Sequence, residues 1–197
     1  MKGDKNVSNI VEKQDGIILT KQLLELGYNK MQIEDYVRKG FLVREKWGAY
    51  TLPEICIDEY KSIQCRSEKI IFSYATALFF HGMSDRVPHI LDVTVPQGDN
   101  VSRIKRDHSE INFHYCKKDL WDLGLTTVTT PQGFKVNAYD KERCICDIIK
   151  NRKNIDTQIY VQAIKEYFNG SYDHRKLLKY AKIFNIEDKV RVYMEVM

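Results

Sequence analysis

The spacing of hydrophobic positions along this chain changes with distance, and the changes mark out its elements. Residues 5–13 carry Val7, Ile10 and Val11 at intervals that suit a short helix. Residues 16–19 are a brief apolar run. Thr20 stands where it would cap a helix holding Leu23, Leu24 and Leu26, packed with the first helix and Ile33. Gly27 ends that helix, because glycine enters the left-handed region at low cost. Tyr28 and Asn29 predict a tight turn. Asn29 then caps a second helix, with Gln32 at the position a capping box requires, and Ile33, Tyr36 and Val37 give that helix one apolar face. Gly40 stops it. Strands over 41–46 and 49–52, joined at Trp47 and Gly48 and closed by Pro53, predict a hairpin.

Beyond Pro53 the half-apolar stretch 54–64 predicts a connecting helix, and a domain boundary is placed between 1–57 and 58–197. Residues 69–72 read as a strand. Ser73 is expected to cap a compact apolar helix that Gly82 ends. A loop follows, then a strand at 89–96 closed by Pro96. A helical turn is expected at 101–106, and further strands at 111–115, 125–129 and 134–138. From Asp140 onward the period is helical. Asp140, Asp156 and Asp173 each stand before an amphipathic run, and Val190, Tyr193 and Met194 mark a last helix. Strands first and helices after predict an α+β chain. It would be an N-terminal winged helix-turn-helix, then a small β-sheet domain with a C-terminal helical tail.

The expected function follows from the side of the second helix left outside the core. With Ile33, Tyr36 and Val37 inward, Asn29, Lys30, Gln32, Arg38 and Lys39 face outward. Asn and Gln can pair with adenine edges and Arg with guanine, while Lys and Arg neutralise phosphates. Arg44, Lys46 and Trp47 lie at or beside the hairpin tip, where a cation reaches backbone or minor groove. Glu34 and Asp35 dilute this field, and a solvated helix beside an ordinary hairpin is the competing reading. The order helix, glycine turn, capped helix, hairpin favours double-stranded DNA.

Composition adds bounds. The 197 residues are 43% hydrophobic and 29% charged, enough for one large or two small globular domains. A net charge of +4 permits nucleic-acid binding without requiring it. No apolar run approaches the roughly 18 residues of a membrane span, and the first residues lack a signal core, so a cytoplasmic protein with no membrane partner is expected. Five cysteines without framework spacing predict free thiols. Glycine-rich phosphate loops and nucleophile elbows are missing, and Cys144 and Cys146 would point apart on a helix. Hence no catalytic residue, metal or cofactor is expected.

In the second half, Ser73, Ala75, Thr76, Ala77 and Leu78 are followed by His81-Gly82, Ser84-Asp85-Arg86, and then Asp92, Thr94 and Pro96. Arg143, Cys146 and Asp147 stand before a basic helix end. With the N-terminal pattern, these resemble the AbiEi-type antitoxins of type IV toxin–antitoxin systems across nearly the whole chain. The resemblance implies a bacterial or phage-defence setting. It implies an autorepressor that binds inverted repeats in its own promoter and counteracts a nucleotidyltransferase-like toxin, without necessarily forming a stable complex. Monomers could meet on the repeat without dimerising in solution. The alternative is a winged-helix regulator whose C-terminal domain senses a ligand or partner.

Candidates for the antitoxin role are Ser84, Asp85, Arg86, Asp92, Arg143 and Asp147. Asp85 and Arg86 could equally be a local ion pair, with His81 capping the preceding helix. His89 and Asp92 could face one site or simply flank a strand. Arg143 and Asp147 stand at ion-pair spacing on a helix. Arg103, Lys105, Arg106, Lys117 and Lys118 form one cationic zone, and Arg175, Lys176, Lys179 and Lys182 another. Each is a solvated face or a contact surface.

Overall fold

The structure is a computed structural model that describes residues 2–13, 16–45 and 48–196. These form two compact units. One runs to Glu68 and takes in Thr129–Lys135; the other comprises Lys69–Val128 and the chain from Val136 onward. The class is α+β.

The first unit contains α1 (Lys2–Lys13), β1 (Ile17–Leu19), α2 (Thr20–Glu25), α3 (Lys30–Arg38), β2 (Val43–Arg44), β3 (Ala49–Thr51) and α4 (Glu59–Gln64). Its core is Val7 and Val11 of α1, Ile18 of β1, Leu23 of α2, Ile33 of α3 and Tyr50 of β3, with Leu42 and Leu52 beside the strands. Full burial of such aliphatic side chains contributes about 1.5–3 kcal/mol each before entropy is counted. The apolar run at 16–19 proves to be a strand. β1 and β2 both pair antiparallel with β3, with Ile18 opposite Tyr50 and Val43 opposite Thr51.

Several local expectations change. Thr20 does not cap α2: its hydroxyl donates to the Gly48 carbonyl at 2.7 Å, and Gln22 accepts from the Leu19 N–H at 2.8 Å instead. Leu24 and Leu26 are 41% and 51% exposed, so the six-residue α2 buries only Leu23. The capping box at α3 forms in both directions, at 2.8 and 2.9 Å between Asn29 and Gln32. The stretch 54–64 is helical only from Glu59, where Asp58 caps α4 by accepting from the Lys61 N–H. The first unit therefore takes in α4, beyond residue 57.

The second unit holds β4 (Ile71–Phe72), α5 (Tyr74–Phe80), β5 (Leu91–Pro96), α6 (Ser102–Asp107), β6 (Ile111–Cys116), α7 (Lys118–Trp121), β7 (Leu125–Thr129) and β8 (Lys135–Tyr139). After them come α8 (Lys141–Lys150), a single 3-10 turn at Arg152–Asn154, α9 (Thr157–Asn169), α10 (His174–Ile183) and α11 (Glu187–Val196). The sheet order is β6-β5-β4-β8-β7. β4 is antiparallel to β5, but β5–β6 and β4–β8 are parallel pairs. Parallel neighbours need a crossover, and α6 supplies one between β5 and β6. Helices are thus interleaved with strands and do not only follow them. Asp140, Asp156 and Asp173 cap α8, α9 and α10 as the pattern predicts. Ser73 does not cap α5 with its side chain: its Oγ accepts from the Thr94 hydroxyl at 2.9 Å.

Candidate functional site

Two surfaces carry the polar residues of interest. The first is the outer side of α3 with the adjoining hairpin strands. Ile33 fixes the helix against the core, and Tyr36 and Val37 pack beside it. That leaves Asn29, Lys30, Gln32, Arg38 and Lys39 exposed, with Arg44 exposed on β2. Lys46 and Trp47 lie outside the described residues.

The cations on this surface are not all free. Asp35 pairs with both Arg38 and Lys39, and Glu34 pairs with Arg44. These hydrogen bonds, Lys39 first and Arg38 second, hold the Asp35 carboxyl below its usual range. Pairs at the surface are screened by solvent and contribute little, so a phosphate can replace the carboxylate readily. Lys30 makes no ion pair among the described residues; with Thr20, Glu34, Arg44 and Tyr50 it lines a groove of about 310 Å³.

Asn29 and Gln32 are exposed, but their side-chain oxygens are engaged in the capping box. Bidentate reading of adenine needs that oxygen as well as the NH₂ group, so these two are better placed to hold the start of α3 than to read bases. Sequence reasoning passed over Met31, which is 83% exposed. Its position between Lys30 and Gln32, off the Ile33–Val37 stripe, was the signal available.

The second surface lies in the C-terminal unit. Ser84 is buried and accepts from the Arg86 N–H at 3.3 Å. Asp85 and Arg86 do not pair with each other. Asp85 accepts from Gln162, and Arg86 donates to Gln158 at 2.8 Å and approaches Asp156 at 3.8 Å. These bonds tie the loop after α5 to α9. His81 closes α5, but its ring is inward: Nε2 donates to the Tyr139 carbonyl at 2.7 Å, and burial pushes its pKa below the usual value.

Asp92, Arg143 and Asp147 come closer to a shared site. Asp92 Oδ1 accepts from His114 Nε2 at 2.7 Å and from Asn112 at 2.9 Å. His114 packs against Tyr74, with ring centroids 4.1 Å apart. Tyr74 sits at φ +44°, a left-handed conformation unusual outside glycine, and its hydroxyl accepts from Asn151 at 2.9 Å. Two adjoining cavities are lined in common by Tyr74, His114 and Asn151. Asp92 lines one of them, and Arg143, Asp147, Lys117 and Lys150 the other. Tyr74, His114 and Asn151 escaped sequence reasoning because their positions meet only through the sheet and α8. His89 is exposed and lines neither cavity.

In each of the two other cationic zones one lysine is engaged by its neighbours, while Arg103, Lys118, Arg175, Lys179 and Lys182 are exposed. Lys176 bridges Asp140 and Glu142 at 3.0 and 3.2 Å, and Lys105 lies over the Phe113 and Tyr115 rings. Cys144 and Cys146 are buried, and burial pushes the Cys146 thiol up to about 12. Both donate to carbonyls, which suits thiols and not metal-bound thiolates. Among the described residues, no helix is long and apolar enough to cross a membrane.

The fold is similar to that in the crystal structure of the RV2827C protein from Mycobacterium tuberculosis. The TM-score is 0.55, covering 89% of this chain and 69% of that one at 16% identity, a likeness of fold alone. No protein-family model and no curated protein matches the chain.

Proposed function

We propose that residues 1–57 act as a winged helix-turn-helix, with α3 as the helix that enters the major groove and the β2–β3 hairpin as the wing. The observation that carries this reading is the contact between Glu34 on α3 and Arg44 on β2. It puts the exposed sides of helix and hairpin on one continuous surface, which also carries Lys30, Arg38 and Lys39. Four cations against two acids leave that surface positive. Together with the sequence resemblance, this supports a DNA-binding antitoxin of the AbiEi type. It would repress its own operon at inverted repeats and oppose a nucleotidyltransferase-like toxin through residues 58–197.

The test is a triple substitution, Arg38→Ala, Lys39→Ala and Arg44→Ala, measured by anisotropy on promoter DNA and by survival of cells expressing the toxin. Promoter binding is expected to fall by more than about tenfold, with protection retained. Full promoter affinity in a folded variant would defeat the assignment of α3. The grooved face of the C-terminal unit favours a second reading, a regulator that senses a small ligand there. Protection absent from the parent protein would favour it.

A further inference from the structure

The structure of the C-terminal unit points, we propose, to a nucleotide-binding groove running from Asp92 to Lys150. It lies wholly within that unit and stands whether or not α3 binds DNA. The two adjoining cavities, of about 240 and 410 Å³, share Tyr74, His114 and Asn151 and so make one trough. Its size falls within the range of small-molecule sites.

The two ends differ in chemistry. At one end stand Asp92, Asn112, Asn154 and Asp156. Asp92 uses Oδ1 for His114 and Asn112, and its Oδ2 makes no hydrogen bond among the described residues. That oxygen is an acceptor ready for a hydroxyl or amino donor. At the other end stand Lys117, Lys150 and the buried Arg143. Neither lysine makes an ion pair among the described residues; Asp147 lines the same end and feels the Lys150 charge, but its carboxylate is taken up by Arg143, whose Nη2 meets the Cys116 sulfur at 3.7 Å. Lys150 lies over the Phe184 ring with its Nζ 5.0 Å from the centroid. Between the ends sits the Tyr74–His114 ring pair.

Acceptors, a planar aromatic pair and cations, in that order, match the parts of a nucleotide. Sugar hydroxyls or a base amino group suit Asp92, the base suits the rings, and the phosphate suits the lysines. Inorganic phosphate or a nucleoside alone satisfies only one end. Tyr74 is held in its left-handed conformation by Asn151 and by the His114 contact, as expected where strain serves a site. The same chemistry could come from a free nucleotide or from the phosphorylated end of an RNA strand.

The experiment is calorimetry on the full chain with AMP, CMP, GMP and UMP, with their nucleosides, and with inorganic phosphate. At least one mononucleotide should bind about tenfold or more tightly than its nucleoside or phosphate. Lys117→Ala and Lys150→Ala, both at exposed positions, should each weaken that binding by about tenfold without changing the melting temperature, while Lys189→Ala should not. A 5′-phosphorylated RNA trinucleotide that binds more tightly than any mononucleotide, with the same losses, would assign the strand end as the source. The proposal is overturned if no mononucleotide or trinucleotide binds more tightly than phosphate, or if binding survives both lysine substitutions.

Discussion

Arg143 donates through Nε to both carboxylate oxygens of Asp147, at 3.1 and 3.0 Å, with both side chains buried one turn apart on α8. The guanidinium is held further. Its Nη1 donates to the Leu120 and Leu123 carbonyls, and its Cζ lies 4.3 Å from the Tyr139 ring centroid and 4.5 Å from that of Phe184. Burial raises the Asp147 pKa above its ordinary value, and Arg143 offsets only part of that rise. The pair thus binds α8 to the segment 120–123. That leaves it a wall of the groove more than a free reactive group.

Removing one partner should therefore damage the fold. Arg143→Met strands a buried carboxylate, and a loss of about 3–5 kcal/mol is expected. Adding Asp147→Leu removes the stranded charge, so the double variant should be more stable than Arg143→Met alone. Urea unfolding of both variants and of Asp147→Leu measures the coupling. Strict additivity would mean that the pair does not interact.

Gly124 offers a test of the same packing from the opposite side. It has φ +82°, and a Cβ built there would lie 2.7 Å from Arg143 Cβ and 3.2 Å from the Asp140 carboxylate oxygens. Gly98 has a similar φ of +90° with nothing within 4 Å. Gly98→Ala should cost roughly 1–2 kcal/mol, the backbone penalty alone. Gly124→Ala carries that penalty plus about 1–3 kcal/mol of overpacking against α8. Melting temperatures of the two variants separate the contributions, and equal shifts would show that α8 yields.

His81 makes stability depend on pH. Its folded pKa lies below the ordinary 6.5, chiefly through burial, with the Tyr139 hydrogen bond partly opposing. The unfolded chain therefore takes up the proton first as pH falls. Stability is fully present above 6.5 and is lost as pH drops from there through the folded pKa. His81→Gln keeps a donor for Tyr139 but cannot titrate, so its stability curve should be flatter just below that pH. An identical slope in both proteins would assign the dependence to other groups.

Much of the framework was legible because it is written locally. The Asn29–Gln32 box and the aspartates before α8, α9 and α10 are short-range patterns, and each capped the helix it preceded. Failures came where a distant partner claimed a side chain. Thr20 and Ser73 stand where caps belong, but Gly48 and Thr94 take their hydroxyls. The parallel pairing of β5 with β6 carries no local signature. Without it, Asp92 and His114, 22 residues apart, cannot be placed side by side.

On α3, the acids that weaken the positive field also offer its most direct test. Glu34 holds Arg44, and Asp35 holds Arg38 and Lys39. If DNA lies along this surface, these carboxylates repel phosphate and compete for the cations that should meet it. Asp35→Asn and Glu34→Gln are isosteric, the first at a half-buried and the second at an exposed position, so the fold should be unaffected. Each should tighten promoter binding by about two- to tenfold at low salt and steepen its dependence on salt concentration. The gain should shrink as salt rises, because the released cations then gather counterions instead. If α3 faces no DNA, neither substitution changes affinity at any salt concentration, and a titration of both variants across salt would show it.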